Sequence, residues 1–275
     1  MHRELDVTVS NLAATGALVR YDFMRCPLDS CSVNDAIGHI QHRIQLRSST
    51  NLIHFINAAK IVKARSDRKL AAALWDGDFV FADGKPLVPL GRWLGMDIPE
   101  RINGTNLMTS LLALAAREGY RVYFLGATQH VVEACVQQTL AAHPQLTVAG
   151  FRNGYFSPAD ARDVIESINQ AAPDILFIGM GTPQKEMFAY EHRAQLRVPV
   201  VQGVGGSFDV VAGLVERAPV WMQDWGLEWL FRVQQEPRRM FWRYFSTNSM
   251  FVWFYLVELW RTRVRHLGVH SSIAR

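Results

Sequence analysis

The chain has 275 residues, 49% of them hydrophobic and 20% charged, with a formal net charge of +4. That length suits one large α/β domain, or a domain with an appendage, and the ordinary apolar content excludes wholesale disorder. The charge is unevenly placed: Arg232 to Arg265 holds seven arginines and no lysine, against only Glu236 and Glu258. A basic tail of this kind points to an acidic partner, such as a phosphate or an anionic membrane surface.

In chain order, residues 1–16 read as a poorly ordered N-terminus. Their sequence, MHRELDVTVSNL onward, lacks the apolar core of a signal peptide. Cys26, Cys31 and Cys135 are odd in number and form no CxxC pair. They are read as free thiols of a reducing compartment. From about residue 33, short apolar runs alternate with amphipathic ones. Strands are predicted at 52–56 (LIHFI), 79–82 (FVFA), 121–125 (RVYFL), 146–150 (LTVAG), 174–178 (DILFI) and 199–202 (PVVQ). Helices are predicted at 34–46, 105–118, 129–142, 158–171 and 184–194. Thr128 marks one helix start, and Ser157-Pro158 places a cap residue before a first-turn proline. Strands separated by such helices imply βαβ units and a mostly parallel sheet, with continuously apolar strands buried on both faces. The core domain is set at 17–213.

Past 214 the character changes. Six of the eight tryptophans lie between Trp221 and Trp260. Helices are predicted at 219–235 and 237–262, the second opening on Pro237. Residues 214–275 therefore read as a helical, aromatic and Arg-rich C-terminal appendage. Within it MFVWFYLVELW (250–260) is apolar almost all round and is flanked by Arg243 on one side and Arg261, Arg263 and Arg265 on the other. The longest charge-free stretch, Tyr244–Val257, has 14 residues, short of the roughly 20 that span a bilayer. Interfacial anchoring is favoured over packing against the protein or a second copy. The expected location is cytoplasmic, peripheral on the inner face of the cell membrane.

Ligands of an open parallel sheet bind outside the carboxyl ends of its strands. Five such ends carry polar or glycine-rich sequence: Asn57, Asp83-Gly84, Gly126-Ala127-Thr128, Gly179 to Gln184, and Gly203 to Asp209. Glycines there admit a ligand to the backbone, and helix N-termini offer free N–H groups to phosphate. Together they favour a nucleotide-type ligand. Singly, a glycine at such a junction is ordinary turn chemistry, Asp83-Gly84 is equally a turn or a helix cap, and Asn57 alone reads best as a cap. The run from Gly203 is G-x-G-G-x-x-D, not the dinucleotide fingerprint, and it falls late in the chain. Asp76-Gly77-Asp78 precedes its strand and reads as a plain loop. No His/Cys cluster has zinc-ligand spacing, and His130, His143 and His192 read as surface residues of helices.

Seven segments resemble, in order and spacing, the WecG/TagA/CpsF family of bacterial glycosyltransferases, glycosyltransferase family 26. They are INAAK (56–60), ADGKPLV (82–88), PERINGTNL (99–107), GYF (154–156), GMGTPQKE (179–186), GVGGSFDVVAG (203–213) and RAPVWMQDWGLEWLFRVQQEPRR (217–239). The resemblance runs from about Leu52 to Arg243. It implies a Rossmann-like fold, a C-terminal helical appendage that helps form the active site, and inverting transfer from a UDP-sugar to a polyprenyl-diphosphate-linked sugar. It implies no cofactor and no metal. Asp83 would be the catalytic base that takes the acceptor hydroxyl's proton. Asn57 and Gln184 would hold the reacting sugars, with Arg101 in the pocket and Asp209 against the uridine. Arg232, Arg239 and, less directly, Arg243 would reach in from the appendage to pair with diphosphate through their planar forks.

The chain departs from that pattern in places. KPLV follows the Asp-Gly pair where many relatives have IGVV or ISVV, so Lys85 stands beside the proposed base. Phe55 stands where some relatives have Thr. Both leave the sugar open. The expected process is exopolysaccharide or cell-surface polysaccharide synthesis. Nucleic acid is not expected as a partner, and a homo-oligomer is left open. A Rossmann oxidoreductase would need an early G-x-G-x-x-G, which is missing. A non-catalytic, membrane-associated scaffold of a polysaccharide assembly complex remains the alternative.

Overall fold

A computed structural model describes residues 18–235 and 237–271, with some side chains of the C-terminal helices left out. The N-terminus expected to be poorly ordered lies outside the described residues, as do the side chains of Arg232, Arg239 and Arg243.

The chain opens with a hairpin that the sequence pattern missed, β1 (Val19–Phe23) paired antiparallel with β2 (Cys26–Ser30). Its turn residues Met24 and Arg25 have φ of 56° and 68°, the left-handed pair that a tight two-residue hairpin turn requires. Helix α1 (Val33–Leu46) starts at a capping box between Ser32 and Asp35. Strand β3 (Asn51–Ile56) runs into α2 (Ala58–Ser66), then α3 (Arg68–Trp75) and β4 (Phe79–Ala82). A short α4 (Leu87–Trp93) and α5 (Gly104–Glu118) lead to β5 (Arg121–Gly126). Then follow α6 (Gln129–Ala142), β6 (Thr147–Arg152), α7 (Ala161–Ala171), β7 (Ile175–Gly179), α8 (Gln184–His192), β8 (Val200–Gly203) and α9 (Ser207–Val211). Strand positions agree with expectation to within a residue or two.

Six strands form one all-parallel sheet in the order β4-β3-β8-β7-β5-β6. Alternate side chains divide between its faces. Phe79 and Phe81 pack with α1, α5, α6 and α9, while Val80 and Ala82 pack with α2, α3 and the hairpin. Leu176 and Ile178 face α7 and α8. This three-layer arrangement is the α/β, Rossmann-like, mostly parallel fold expected. Hairpin residue Asp29 accepts from the β4 amide of Val80 at 2.7 Å and is forked by Arg20 at 2.7 Å twice, so the outer edge of β4 is covered.

The appendage is helical, as expected, but its first helix is broken. Helices α10 (Val220–Asp224) and α11 (Glu228–Gln235) meet at Gly226, whose φ is 71°. The long α12 (Pro237–Ser271) follows. Phe251 and Tyr255 of α12 are buried in the core around α2, and the Arg65 guanidinium lies 4.2 Å from the Phe254 ring centre. On the outer side, Trp242, Phe245, Val252, Trp253, Leu256 and Trp260 are exposed. Among the described side chains, one face of α12 packs on the protein and the other is exposed. Among the described residues no helix is long and apolar enough to cross a membrane.

Candidate active site

The chain enters the sheet at β3, moves out to β4, crosses to β5 and β6, and returns through β7 to β8 beside β3. Loops after β3, β4, β7 and β8 therefore surround one crevice at the carboxyl ends of the strands.

Asn57 and Asp83 end neighbouring strands. The Asp83 amide donates to Ile56 O at 2.9 Å, continuing the β3–β4 ladder by one residue. Asn57 is a helix cap, as read: its Oδ1 accepts from the Lys60 amide at 3.0 Å. Gly84 lies against Asn57 and beneath Leu87, whose Cδ1 would come within 2.9 Å of a Cβ added there. The Asp83 carboxylate is partly exposed. Its Oδ1 accepts from Asn103 Nδ2 at 2.7 Å and lies 3.6 Å from Arg101 NH2. Arg101 Nε also donates to the Asp83 carbonyl. Among the described residues no side chain donates to Oδ2. Arg101 then reaches the appendage, where its NH2 donates to Glu228 Oε2 at 2.8 Å. Arg217 adds a second cation 3.8 Å from Glu228 and donates to Asn106 Oδ1 at 2.8 Å. The turn at Gly226 packs on Lys85: an added Cβ would come 3.1 Å from Lys85 Cβ. Appendage and core thus meet at the Asp83 junction.

The loop after β7 holds a second charged group. Glu186 is fully buried, and its Oε1 lies 2.7 Å from Lys60 Nζ and 3.1 Å from Lys185 Nζ. Lys185 Nζ also donates to Thr182 Oγ1 at 2.5 Å, and Lys63 Nζ donates to the Thr182 carbonyl at 3.3 Å. Burial, and then the neighbouring Lys60 ammonium, pull Lys185 down to about 8. Burial alone would raise Glu186, but Lys60 and Lys185 outweigh it and bring it down to about 2. His54 on β3 is buried beside this group, pulled to about 3 by burial, with Nε2 unpartnered among the described residues.

Of the candidates, Asp83, Asn57 and Arg101 come together. Gln184 does not join them by any described contact: it is the exposed first residue of α8, and it is Lys185 that turns inward. Helical periodicity carried that signal, because 185, 188, 189 and 192 share a face and Phe188 and Ala189 are buried. Asp209 sits half-buried on α9, where its charge acts on Cys135 of α6. Arg232 lies in α11, and Arg239 and Arg243 lie in α12, with side chains outside the described residues. Asn103, Arg217, Glu228, Lys60, Lys185 and Glu186 were missed as site residues. For Asn103, Arg217, Glu228 and Lys60 the partners are distant in sequence, so no local pattern announces them, whereas the inward turn of Lys185 was available from the periodicity of α8.

The remaining candidates take structural roles. Arg193 NH2 reaches Asp78 Oδ2 at 2.8 Å and NH1 reaches Asp76 Oδ2 at 3.0 Å, at the opposite end of the sheet, so the Asp-Gly-Asp loop is an ion-paired corner. Cys26, Cys31 and Cys135 are free, and burial pushes each up to about 12. No group of three His, Cys, Asp or Glu suited to a metal occurs among the described residues.

Comparison with known proteins yields a family match. The model described as "Glycosyl transferase WecG/TagA/CpsF family" matches residues 21–265. A protein of Bacillus spizizenii named N-acetylglucosaminyldiphosphoundecaprenol N-acetyl-beta-D-mannosaminyltransferase is 35% identical over 181 residues, covering 66% of this chain and 69% of that one. A protein of the same name from Bacillus subtilis is 32% identical over 188 residues, covering 68% and 73%.

Proposed function

The chain belongs to the WecG/TagA/CpsF family of glycosyl transferases, and on that premise we propose that it is an inverting, UDP-sugar-dependent hexosyltransferase. Its acceptor is a sugar carried on polyprenyl diphosphate, and its process is bacterial exopolysaccharide or cell-surface polysaccharide synthesis. The names of the Bacillus relatives, which act on an undecaprenol-diphosphate-linked sugar, support the acceptor class.

One observation carries the reading: a partly exposed carboxylate at a strand end, held through Oδ1 by Asn103 and Arg101, with no side-chain donor to Oδ2 among the described residues. A base must be fixed yet reachable. Asp83 Oδ2 takes the acceptor hydroxyl's proton as that oxygen bonds to the anomeric carbon. The bond from that carbon to the diphosphate breaks on the opposite face, and UDP leaves. Asn57 and Gln184 hold the reacting sugars and Asp209 the uridine. Arg101 orients the base, and Arg232, Arg239 and Arg243 approach the diphosphate from the appendage.

The exposed face of α12 lies on the anionic inner surface of the membrane. Trp242, Phe245, Val252, Trp253, Leu256 and Trp260 fall along one side at helical spacing, over about 27 Å of helix. Aromatic and aliphatic side chains with neighbouring arginines suit headgroup depth.

The test is UDP release from a panel of UDP-sugars with a polyprenyl-diphosphate-sugar acceptor in EDTA, beside Asp83→Asn. Turnover with one donor, lowered at least about a hundredfold in the variant, is expected. Equal turnover by both proteins would remove Asp83 as the base. UDP binding without turnover for any donor and acceptor would favour the scaffold alternative.

A further inference from the structure

The buried group beneath the β7 loop is unbalanced. Two ammonium groups, Lys60 and Lys185, share one carboxylate oxygen of Glu186, so the group carries a net positive charge. Glu186 offsets only one of the two, and the other is left with the partly exposed Asp83 carboxylate as its remaining anion, so an anion bound beside it would relieve the cost of its burial, which a neutral sugar hydroxyl does not. Of the two cations, Lys185 is at the crevice. Its stem passes the end of β8, where a Cβ on Gly203 would lie 3.0 Å from Lys185 Cδ. Its Nζ lies 3.7 Å from the position of a Cβ on Gly205. Glycine at both positions leaves the ammonium next to bare backbone. Asp83 is close enough for its charge to act on Lys185.

We propose that the Lys185 ammonium, with Lys60 behind it, binds the diphosphate of the donor. The inference rests on the transferase reading for the donor's identity and adds a binding residue from the core to the arginines of the appendage. When the glycosidic bond to the diphosphate breaks, its electron pair stays on the diphosphate, whose negative charge rises by one, while the acceptor proton goes to Asp83. A cation already in place stabilises the charge that develops. The charged groups facing Lys185 are Lys60 on α2, Glu186 on α8 and Asp83 after β4, with neutral His54 on β3. Because burial and Lys60 hold Lys185 near 8, raising the pH above that value discharges it and weakens the diphosphate contact.

The experiment is calorimetric binding of UDP to the full chain at pH 7 and pH 9.5, for wild type, Lys185→Met and Lys185→Arg. Lys185→Met keeps the stem and removes the charge. Its affinity for UDP at pH 7 is expected to fall at least about tenfold, and its pH dependence to flatten. Lys185→Arg, charged at both pH values, is expected to lose less affinity than wild type between pH 7 and 9.5. If either variant fails to fold, the other and the wild-type pH dependence still decide. Equal UDP affinity in wild type and Lys185→Met at pH 7 would overturn the proposal. So would a loss confined to UDP-glucuronic acid, which would move the ammonium to a sugar carboxylate. Wild type that binds UDP with this lysine dependence yet turns over no donor would sink the transferase reading and leave the anion site standing.

Discussion

Glu186→Gln removes one negative charge from between two buried ammonium groups and leaves the packing volume unchanged. In the wild type those groups, Lys60 foremost, outweigh burial and hold Glu186 near 2 instead of its ordinary 4.5. Such a drop corresponds to about 3 kcal/mol of folding free energy. It matches the roughly 3–5 kcal/mol typical of stripping one partner from a buried pair. The sign follows from the depressed value: the contribution is present above pH 4.5 and is lost as the pH falls toward 2. Urea denaturation at pH 7 should therefore find Glu186→Gln about 3 kcal/mol less stable than wild type. The gap should close to roughly half by pH 3, because the carboxylate takes up its proton in the unfolded chain below 4.5 while it is still ionised in the folded one. A variant within about 1 kcal/mol of wild type at pH 7, or a gap that is the same at pH 5 and pH 3, would refute the charge arrangement described.

Two further outcomes separate structure from function. Arg193→Met unties Asp76 and Asp78 at the far end of the sheet and should lower stability by about 1–2 kcal/mol, with kcat of the folded enzyme unchanged; a large fall in kcat would contradict that placement. Trp253→Asp combined with Leu256→Asp should leave the melting temperature nearly unchanged, because both side chains are exposed. It should cut binding to anionic phospholipid vesicles at least about tenfold, whereas Phe251→Ala, on the buried face of the same helix, should cost about 3 kcal/mol of stability. Undiminished vesicle binding by the double variant would exclude that face as the membrane contact.

What the sequence made legible follows the range of the interactions involved. Strands such as FVFA and DILFI announced themselves by apolar runs, and Thr128 by its cap, because those signals are local. The hairpin at Met24-Arg25 did not, since its turn uses residues that carry no turn signature. Helices α2 and α3 were missed although Asn57 was read as a cap: both are short, nine and eight residues, and they adjoin at Asp67, which caps the second, so neither shows a long amphipathic pattern. The single helix predicted over 219–235 is two helices, because Gly226 takes a left-handed conformation against Lys85. In the site, Asp83 was legible as a carboxylate ending a strand. Glu228 is 127 residues from the Arg101 it binds, and no pattern of spacing predicts such a pair. Lys185 was obscured by its neighbour Gln184, a distinction that depends on which side of α8 meets the sheet.

The Arg101 guanidinium ties the charge of the appendage to the charge at the end of β4. While α11 is docked, Glu228 takes the strong bond at 2.8 Å and Asp83 only a looser one at 3.6 Å. Remove Glu228, and the same guanidinium is released to close on the nearest carboxylate, which is Asp83. The charge of this one guanidinium is thus divided between a carboxylate of the sheet and a carboxylate of the appendage, and the position of Glu228 sets how much of it reaches Asp83. The seam between core and appendage is in this sense an electrostatic one, and a change of charge at 228 would be felt at the end of β4.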